Sequence, residues 1–146
     1  MYYLGIDIGS TTVKLAVLDE RYQLLYSTYE RHHSDVRATL TQVIETAAAH
    51  FPGKTMTIAI TGSGGLLLAN WLHVSFVQEV IASKEAVEAF IPQTDACIEL
   101  GGEDAKIIFF DQSIEQRMNG QCAGGTGAFK RTSKLSSVSK CGSSHI

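Results

Sequence analysis

The residues of this sequence that could do chemistry lie in two short loops that contain glycine. The first loop follows Asp7, at the end of an apolar run, and continues through Gly9 to Ser10, Thr11 and Thr12. Gly9 allows a close backbone approach to a ligand or a positive φ, and the hydroxyl and amide donors of such a turn suit an anionic phosphate. A hairpin with a polar turn has the same composition, so the loop alone leaves both interpretations open.

Charged residues flank this first loop on both sides. Lys14 adds a cation close to the donors, although alternation along the predicted strand could direct its side chain elsewhere. Asp7 would repel a phosphate in direct contact. A carboxylate at this position instead suits hydrated Mg²⁺ or the orientation of a water molecule, because hard cations prefer oxygen ligands.

The second loop places carboxylates around a pair of glycines. Gly101 and Gly102 make a tight turn between two apolar runs, and Glu99, Glu103 and Asp104 surround that turn. The carboxylates either form a solvated hairpin tip, or they share a metal ion or activate a water molecule. The sequence contains neither the GxxxxGK[ST] pattern of P-loop enzymes nor the GxGxxG pattern of dinucleotide-binding folds.

With these loops the sequence resembles a known family over residues 1–129. The resemblance is carried by the runs GIDIGSTTVKLAVLD, ITGSGG, FVQEV, ELGGEDAKIIFF and NGQCAGGTGAF. The first and fourth runs are similar to the phosphate loops of the acetate/sugar kinase, heat-shock ATPase and actin superfamily. The last run, with its cysteine, resembles the BadF/BadG/BcrA/BcrD-type ATPases, which activate 2-hydroxyacyl-CoA dehydratases and benzoyl-CoA reductases. The most similar are the large multi-domain members, which open with such a module.

The resemblance implies an α/β fold, with a ribonuclease H-like (actin-like ATPase) domain followed by the start of a second such domain. It implies ATP or ADP with Mg²⁺ as ligands, and a homodimer that shares one 4Fe–4S cluster at its interface. ATP hydrolysis would drive a low-potential electron into a CoA-thioester dehydratase or reductase. Two other functions stay open: a small-molecule kinase of the same superfamily, and a truncated, non-catalytic fragment that binds nucleotide weakly or not at all.

The resemblance also implies roles for individual residues. It assigns catalysis to Asp7, Glu99 and Glu103, with Asp7 also holding Mg²⁺ through water. Simpler activators usually have Asp at the position of Glu99 and Gln at that of Glu103. Nucleotide binding is assigned to a larger set of glycine, hydroxyl and lysine residues: Gly9, Ser10, Thr11, Thr12, Lys14, Gly101, Gly102, Gly124, Gly125 and Thr126.

Cys122 is the residue that the resemblance implies as the first cluster ligand. It precedes a glycine run and a predicted helix start, where free N–H groups and partial positive charge favour a thiolate. The resemblance offers Cys141 as a second and less well matched ligand, because family members reach theirs through a longer helical segment. Cys97 lies in an apolar run and is predicted to be a core residue.

The composition limits the classes of function. The chain has 146 residues and a formal net charge of −3, which argues against a dedicated nucleic-acid partner. No apolar stretch is long enough to predict a membrane span, and Met1 leads directly into a strand rather than a signal peptide. Because the three cysteines form no pattern and suit a reducing compartment, we expect a cytoplasmic protein without nucleic-acid or membrane partners.

The chain is expected to divide into three segments. Residues 1–92 form the first ATPase subdomain and residues 93–129 begin the second. The segment 130–146 contains four basic residues, six serines and no acids, a composition that favours flexibility. Because the resemblance stops after Phe129, we expect this tail to be non-native, as in a truncated or frameshifted product.

Apolar periodicity predicts the elements that position the two loops. Predicted strands cover residues 2–8, 13–18, 23–31, 56–61, 96–100, 105–110 and 113–118. Predicted helices begin at 34 or 35, at 64 and at 79, and end near 50, 71 and 91. Pro52 and Gly53 stop the first helix.

Several conspicuous residues receive structural interpretations. His32 and His33 are predicted to be a solvated pair, because no third metal ligand lies nearby in the sequence. Ser63 belongs to a glycine-rich strand-to-helix turn, which the resemblance allows to lie close to nucleotide. Trp71 and Phe76 are predicted to be core or interface residues.

Overall fold

A computed structural model describes residues 1–101, 105–110 and 114–118 of the chain. The predicted strands and helices are all found, with boundaries within two residues of those expected, and a short unpredicted strand, β5, is added. Two residues are too few to show a periodic pattern. The elements are β1 (Tyr2–Ile8), β2 (Thr12–Leu18), β3 (Leu24–Arg31), α1 (Val36–His50), β4 (Met56–Thr61), α2 (Gly65–Leu72), β5 (Ser75–Phe76), α3 (Glu79–Phe90), β6 (Ala96–Leu100), β7 (Ala105–Phe110) and β8 (Ile114–Met118).

The described strands form two sheets. The first has the order β3-β2-β1-β4-β5. In it β1, β2 and β3 pair antiparallel, whereas β4 joins β1, and β5 joins β4, in parallel. The second sheet contains β6, β7 and β8, all antiparallel. This arrangement confirms the predicted ribonuclease H-like domain and the start of a second one.

Strand alternation puts the core on one face of the first sheet. Leu4, Ile6 and Ile8, at every second position of β1, are buried in one apolar cluster. The buried part of that cluster is completed from β2, β4 and the two helices that cover this face: Val13, Leu15, Val17, Val43, Ala47, Ile60 and Ala69.

The opposite face of the first sheet carries very small side chains. Gly5, Ala16 and Ala59 occupy one row of paired positions across β1, β2 and β4, and a groove of about 810 Å³ lies over them. Asp7 and Lys14 belong to the same face, because each is two residues from a member of that row. The first loop therefore lies at the end of the sheet face that is opposite to the core.

Helix α2 turns part of its apolar surface outward. Trp71 is 77% exposed and Leu67 is 83% exposed, so the core alternative for Trp71 is wrong and the interface alternative stays a prediction. Phe76 packs against the core cluster, which confirms its core alternative. Cys97 is only partly buried in β6, less deeply than a core residue.

Within the described ranges, no helix is long and apolar enough to span a membrane.

Helix α1 begins and ends at residues that the sequence indicated. Asp35 caps its N-terminus, where the carboxylate accepts a hydrogen bond from the Ala38 N–H at 3.0 Å. The helix ends at His50. Gly53, in the turn that follows, has a φ of +70°, a conformation that glycine adopts without strain.

The turn between β4 and α2 fits tightly against the end of β1. Gly62 has a φ of +93°, and a Cβ atom added to it would overlap the Ile8 carbonyl group and the Asp7 carboxylate. The Gly64 N–H donates to the Ile8 carbonyl oxygen at 2.9 Å. This close approach explains why the ITGSGG run needs glycine at position 62.

Gly62→Ala should destabilise the chain by about 3 kcal/mol, because it combines a left-handed backbone with overlap against β1. Gly53→Ala is the matched control. Its added Cβ meets nothing within 4 Å, so only the backbone cost of about 1 kcal/mol applies. Urea unfolding followed by circular dichroism measures both values, and equal losses would contradict the close approach at Gly62.

Candidate functional site

The first loop closes directly across the ends of β1 and β2. The Gly9 N–H donates to the Thr12 carbonyl oxygen at 2.9 Å. Gly9 does not have a positive φ, and an added Cβ would make only ordinary contact with Thr12 at 3.6 Å. Of the two reasons predicted for this glycine, positive φ is therefore wrong, and close approach by a ligand stays a prediction.

Asp7 and Lys14 face each other at the base of the first loop. They are direct partners in the antiparallel pairing of β1 and β2. Lys14 Nζ lies 2.6 Å from Asp7 Oδ2, and it also lies over the Tyr29 ring at 5.5 Å from the ring centroid. Strand alternation therefore directs Lys14 toward the first loop and not away from it.

The surroundings of Lys14 keep its ammonium group charged. Partial burial lowers the pKa of Lys14, but the hydrogen bond and the charge of Asp7, together with Tyr29 and Glu99, more than compensate and raise it above the ordinary value. A raised lysine pKa stabilises the fold at every pH below the unfolded value, and this contribution is lost only as the pH rises through the folded pKa. Lys14 is therefore a permanent cation across the neutral range.

Glu99 brings the second acidic loop to the same place. It lies near the end of β6, and its Oε2 atom is buried with no hydrogen-bond partner among the described residues. The hydroxyl of Thr61, a residue paired in register with Asp7, is also buried and without a partner in that part of the chain. Buried polar atoms are nearly always satisfied. Glu99 lines a polar pocket between the loops, whereas Thr61 lines the groove over the small side chains, so the two unsatisfied atoms belong to different cavities.

A polar pocket of about 170 Å³ joins the two loops. Ser63 of the β4–α2 turn also lines it. The larger groove over the small side chains shares Asp7 and Lys14 with this pocket but is mainly apolar, so the donors and charges belong to the smaller pocket. Its wall contains all the described residues that were predicted for catalysis or nucleotide binding: Asp7, Gly9, Ser10, Thr11, Thr12, Lys14, Glu99 and Gly101.

The remaining predicted site residues lie outside the described residues. They are Gly102, Glu103, Cys122, Gly124, Gly125, Thr126 and Cys141. The expected flexible tail, 130–146, lies outside them as well.

The prediction for His32 was wrong. His32 is buried and only His33 is exposed, so the two do not form a solvated pair. The ring of His32 contacts the first loop at the Gly9 carbonyl oxygen. The local sequence around His32, a second histidine followed by a predicted helix start, does not indicate that its ring is buried. The burial depends on the turn that brings the end of β3 against the first loop.

Sequence reasoning also missed Glu79 and Lys106. Glu79 is the first residue of α3, Lys106 lies in β7, and their partly buried side chains form an ion pair at the pocket wall. A signal for Lys106 existed, because the hairpin after Gly101 places it directly opposite Glu99, where opposite charges attract. Glu79 had no such signal, since its position depends on how α3 meets the second sheet.

Known proteins resemble the chain in both sequence and fold. The family model described as "BadF/BadG/BcrA/BcrD ATPase family" matches residues 4–134. The 2-hydroxyisocaproyl-CoA dehydratase activator of Clostridioides difficile is 30% identical, over 88% of this chain and 50% of that protein. The chain spans about half the length of the curated relatives it matches.

Solved structures of dehydratase activators have the same fold. The activator of the 2-hydroxyisocaproyl-CoA dehydratase from Clostridium difficile, with bound ADPNP, gives a TM-score of 0.74 at 27% identity, over 88% of this chain and 49% of that one. Component A of the (R)-2-hydroxyglutaryl-CoA dehydratase of Acidaminococcus fermentans gives a TM-score of 0.73 at 25% identity, over 88% and 51%.

The ion pair between Glu79 and Lys106 should couple α3 to the second sheet. A double-mutant cycle with Glu79→Gln and Lys106→Met is expected to give a coupling of about 1 kcal/mol in urea unfolding, because the pair is partly buried. The same helix offers a control pair, Lys84 and Glu88, whose Nζ and Oε1 atoms lie 2.7 Å apart in a more exposed setting. Their coupling should be clearly smaller, and similar couplings in the two cycles would contradict the prediction.

Proposed function

Because the chain belongs to the BadF/BadG/BcrA/BcrD ATPase family, we propose that it is the ATP-binding module of an activator for a CoA-thioester dehydratase or reductase. In this proposal, ATP hydrolysis is coupled to transfer of a low-potential electron from a 4Fe–4S cluster, shared by two copies of the chain, to the partner enzyme. The observation that carries the nucleotide part is the convergence of both acidic loops on one polar pocket. Support for the electron-transfer part comes from the Cys122 motif and from relatives named as dehydratase activators.

The first loop is proposed to hold the nucleotide phosphates. Residues 10–12 place hydroxyl and amide donors at the pocket wall, and Lys14 adds a permanent positive charge there. Gly101 of the second loop lines the same pocket. Gly102 and the run 124–126 are proposed to complete the nucleotide site from the second subdomain.

Mg²⁺ fits the carboxylates of this pocket. Glu99 Oε2 is buried without a described partner, as expected of an atom that accepts a hydrogen bond from a ligand or its water. The described residues contain no group of three or more His, Cys, Asp or Glu side chains that could hold a metal alone. Asp7 is therefore proposed to hold Mg²⁺ through water, since this ion keeps several of its waters in proteins.

The carboxylates of the second loop are proposed to orient the attacking water. Glu99 stands at the pocket wall, and Glu103 follows it by four positions in the sequence. A positioned carboxylate can accept a proton from water as the phosphate is attacked, and bound Mg²⁺ supplies neutralisation of the phosphate charge. Lys14, which lines the same pocket, would stabilise the same charge.

Asp7→Asn should separate the contribution of the metal to nucleotide affinity from the contribution of the first loop. We expect MgADP binding to weaken about tenfold, because the carboxylate that holds the hydrated metal is lost. Binding of ADP in EDTA should not weaken, since the substitution removes a charge that repels the phosphates. Titration calorimetry measures both, with Glu45→Gln on the exposed surface of α1 as the control.

Two results would count against this assignment. Equal weakening of ADP binding with and without Mg²⁺ would remove the metal role of Asp7. Failure of the folded parent chain to bind MgADP would remove the nucleotide part of the proposal itself.

The cluster part of the proposal rests on Cys122, which lies outside the described residues. Fe–S clusters are held by cysteine thiolates, and a symmetric dimer supplies four of them when each copy contributes two. Cys141 is kept as the less well matched second ligand. The cytoplasm is the proposed location, because thiolates stay reduced there.

Reconstitution with iron and sulfide under anaerobic conditions should give a 4Fe–4S signal in EPR after reduction, and Cys122→Ser should abolish it. Cys97→Ser is the matched control. Cys97 lies in β6 and is not a proposed cluster ligand, so this variant should keep the signal. Cys141→Ser then decides the second ligand. A signal that survives in Cys122→Ser would show that the cluster assignment is wrong.

Nucleotide binding without hydrolysis is a second candidate function. It is favoured by the finding that the chain spans about half the length of its curated relatives. The residue ranges 1–92 and 93–129 are proposed as the first subdomain and the beginning of the second, so the nucleotide would lie between them. Phosphate release from ATP by the parent chain, compared with Glu99→Gln, distinguishes turnover from binding alone.

A further inference from the structure

His32 is a buried histidine directly behind the first loop. Only 8% of its surface is exposed. Its Nε2 atom lies 3.3 Å from the Gly9 carbonyl oxygen, and its backbone N–H donates to the Thr11 carbonyl oxygen at 3.2 Å. Gly9 and Thr11 line the polar pocket, whereas His32 does not. His32 therefore contacts the loop without being part of the pocket wall.

The hydrogen bonds of the ring determine its tautomer. The Ser34 N–H donates to Nδ1 at 3.2 Å, so Nδ1 must be the unprotonated nitrogen of the neutral ring. The proton is then on Nε2, which donates to the Gly9 carbonyl oxygen. Both ring nitrogens of His32 are engaged in this way, so neither is available to a metal ion.

The contacts of His32 orient the amides of the loop. A trans peptide unit is planar, and its N–H points opposite to its C=O. The described residues contain no cis peptide bond. With the Gly9 and Thr11 carbonyl groups turned toward His32, the Ser10 and Thr12 N–H groups point away from it. Ser10 and Thr12 line the pocket, where such amides can bind an anion.

The turn that carries His32 has an uncommon backbone conformation. His33 and Ser34 have φ values of +44° and +69°, a region that residues other than glycine rarely adopt. The Asp35 N–H donates to the His32 carbonyl oxygen at 2.6 Å, and Asp35 caps α1. The contacts of His32 thus offset local strain and join the first loop to the start of α1.

We propose that His32 is a positioning residue, which holds the first loop in the conformation that binds phosphate. The proposal rests on the nucleotide site proposed above and adds to it a residue from outside the pocket. The competing explanation is that the ring only stabilises its own turn through Ser34. The two explanations depend on different ring nitrogens: Nε2 for the loop and Nδ1 for the turn.

Three substitutions separate the two ring nitrogens. His32→Gln keeps a donor near the Nε2 position, His32→Asn keeps an acceptor near the Nδ1 position, and His32→Ala keeps neither. We expect His32→Ala to weaken MgADP binding about tenfold, as the loss of hydrogen bonds to a loop does. His32→Gln should recover most of that affinity and His32→Asn should not. The exposed neighbour offers the control, since His33→Ala should bind MgADP like the parent.

Two NMR measurements on the nucleotide-free chain test the same role without relying on binding. The ¹⁵N shifts of the His32 ring should show the proton on Nε2. Amide exchange at Ser10 and Thr12 should become faster in His32→Ala and stay unchanged in His33→Ala. If the parent chain does not bind MgADP but shows these effects, the nucleotide site fails while the loop-holding role of His32 is supported.

Three results would overturn the proposal. The first is a proton on Nδ1 of His32 in the parent chain, which remains measurable even if the substituted chains do not fold. The second is unchanged exchange of the loop amides in His32→Ala. The third is recovery of MgADP affinity by His32→Asn and not by His32→Gln, which would assign the ring to its own turn.

Discussion

The central position of β1 is the constraint on which the rest of the structure depends. β1 is paired along its length with β2 on one side and β4 on the other, and its alternate residues Leu4, Ile6 and Ile8 are buried in the core. A slip of one residue would exchange the two faces and drive Asp7 into that core. The hydrophobic burial of three side chains therefore holds the carboxylate of Asp7, and the loop that follows it, at the pocket.

The pocket is close to charge balance before any ligand arrives. The described residues of its wall include three carboxylates and two ammonium groups, which leaves one excess negative charge: Asp7, Glu79, Glu99, Lys14 and Lys106. Two of the carboxylates are in ion pairs, whereas an oxygen of Glu99 has no described partner. In the proposed complex, a phosphate would compete with Asp7 for Lys14, and the carboxylate of Asp7 would then be free to hold hydrated Mg²⁺.

The fold alone does not decide between the activities that this superfamily supports, because function depends on the site and not on the scaffold. The described pocket is chemically suited to a nucleotide, and the likeness to solved dehydratase activators covers 88% of the chain. What points to electron transfer is the cysteine motif around Cys122, which belongs to the sequence and not to the described structure. The two parts of the proposed function therefore have separate supports, and each can fail without the other.

The sequence by itself determined the order of all helices and of every strand except β5, together with the two acidic loops and their residues at the pocket, because these follow from local periodicity and from runs of adjacent residues. Only the tertiary structure decided that Lys14 pairs with Asp7, that Glu79 meets Lys106, and that His32 is buried behind the first loop. The first contact depends on the register of the β1–β2 hairpin. The other two join residues that are more than 20 positions apart in the chain, and they depend on how α3 approaches the second sheet and how the end of β3 approaches the first loop. No local pattern contains that information, which is why a histidine that the sequence indicates as solvated becomes a support of the site.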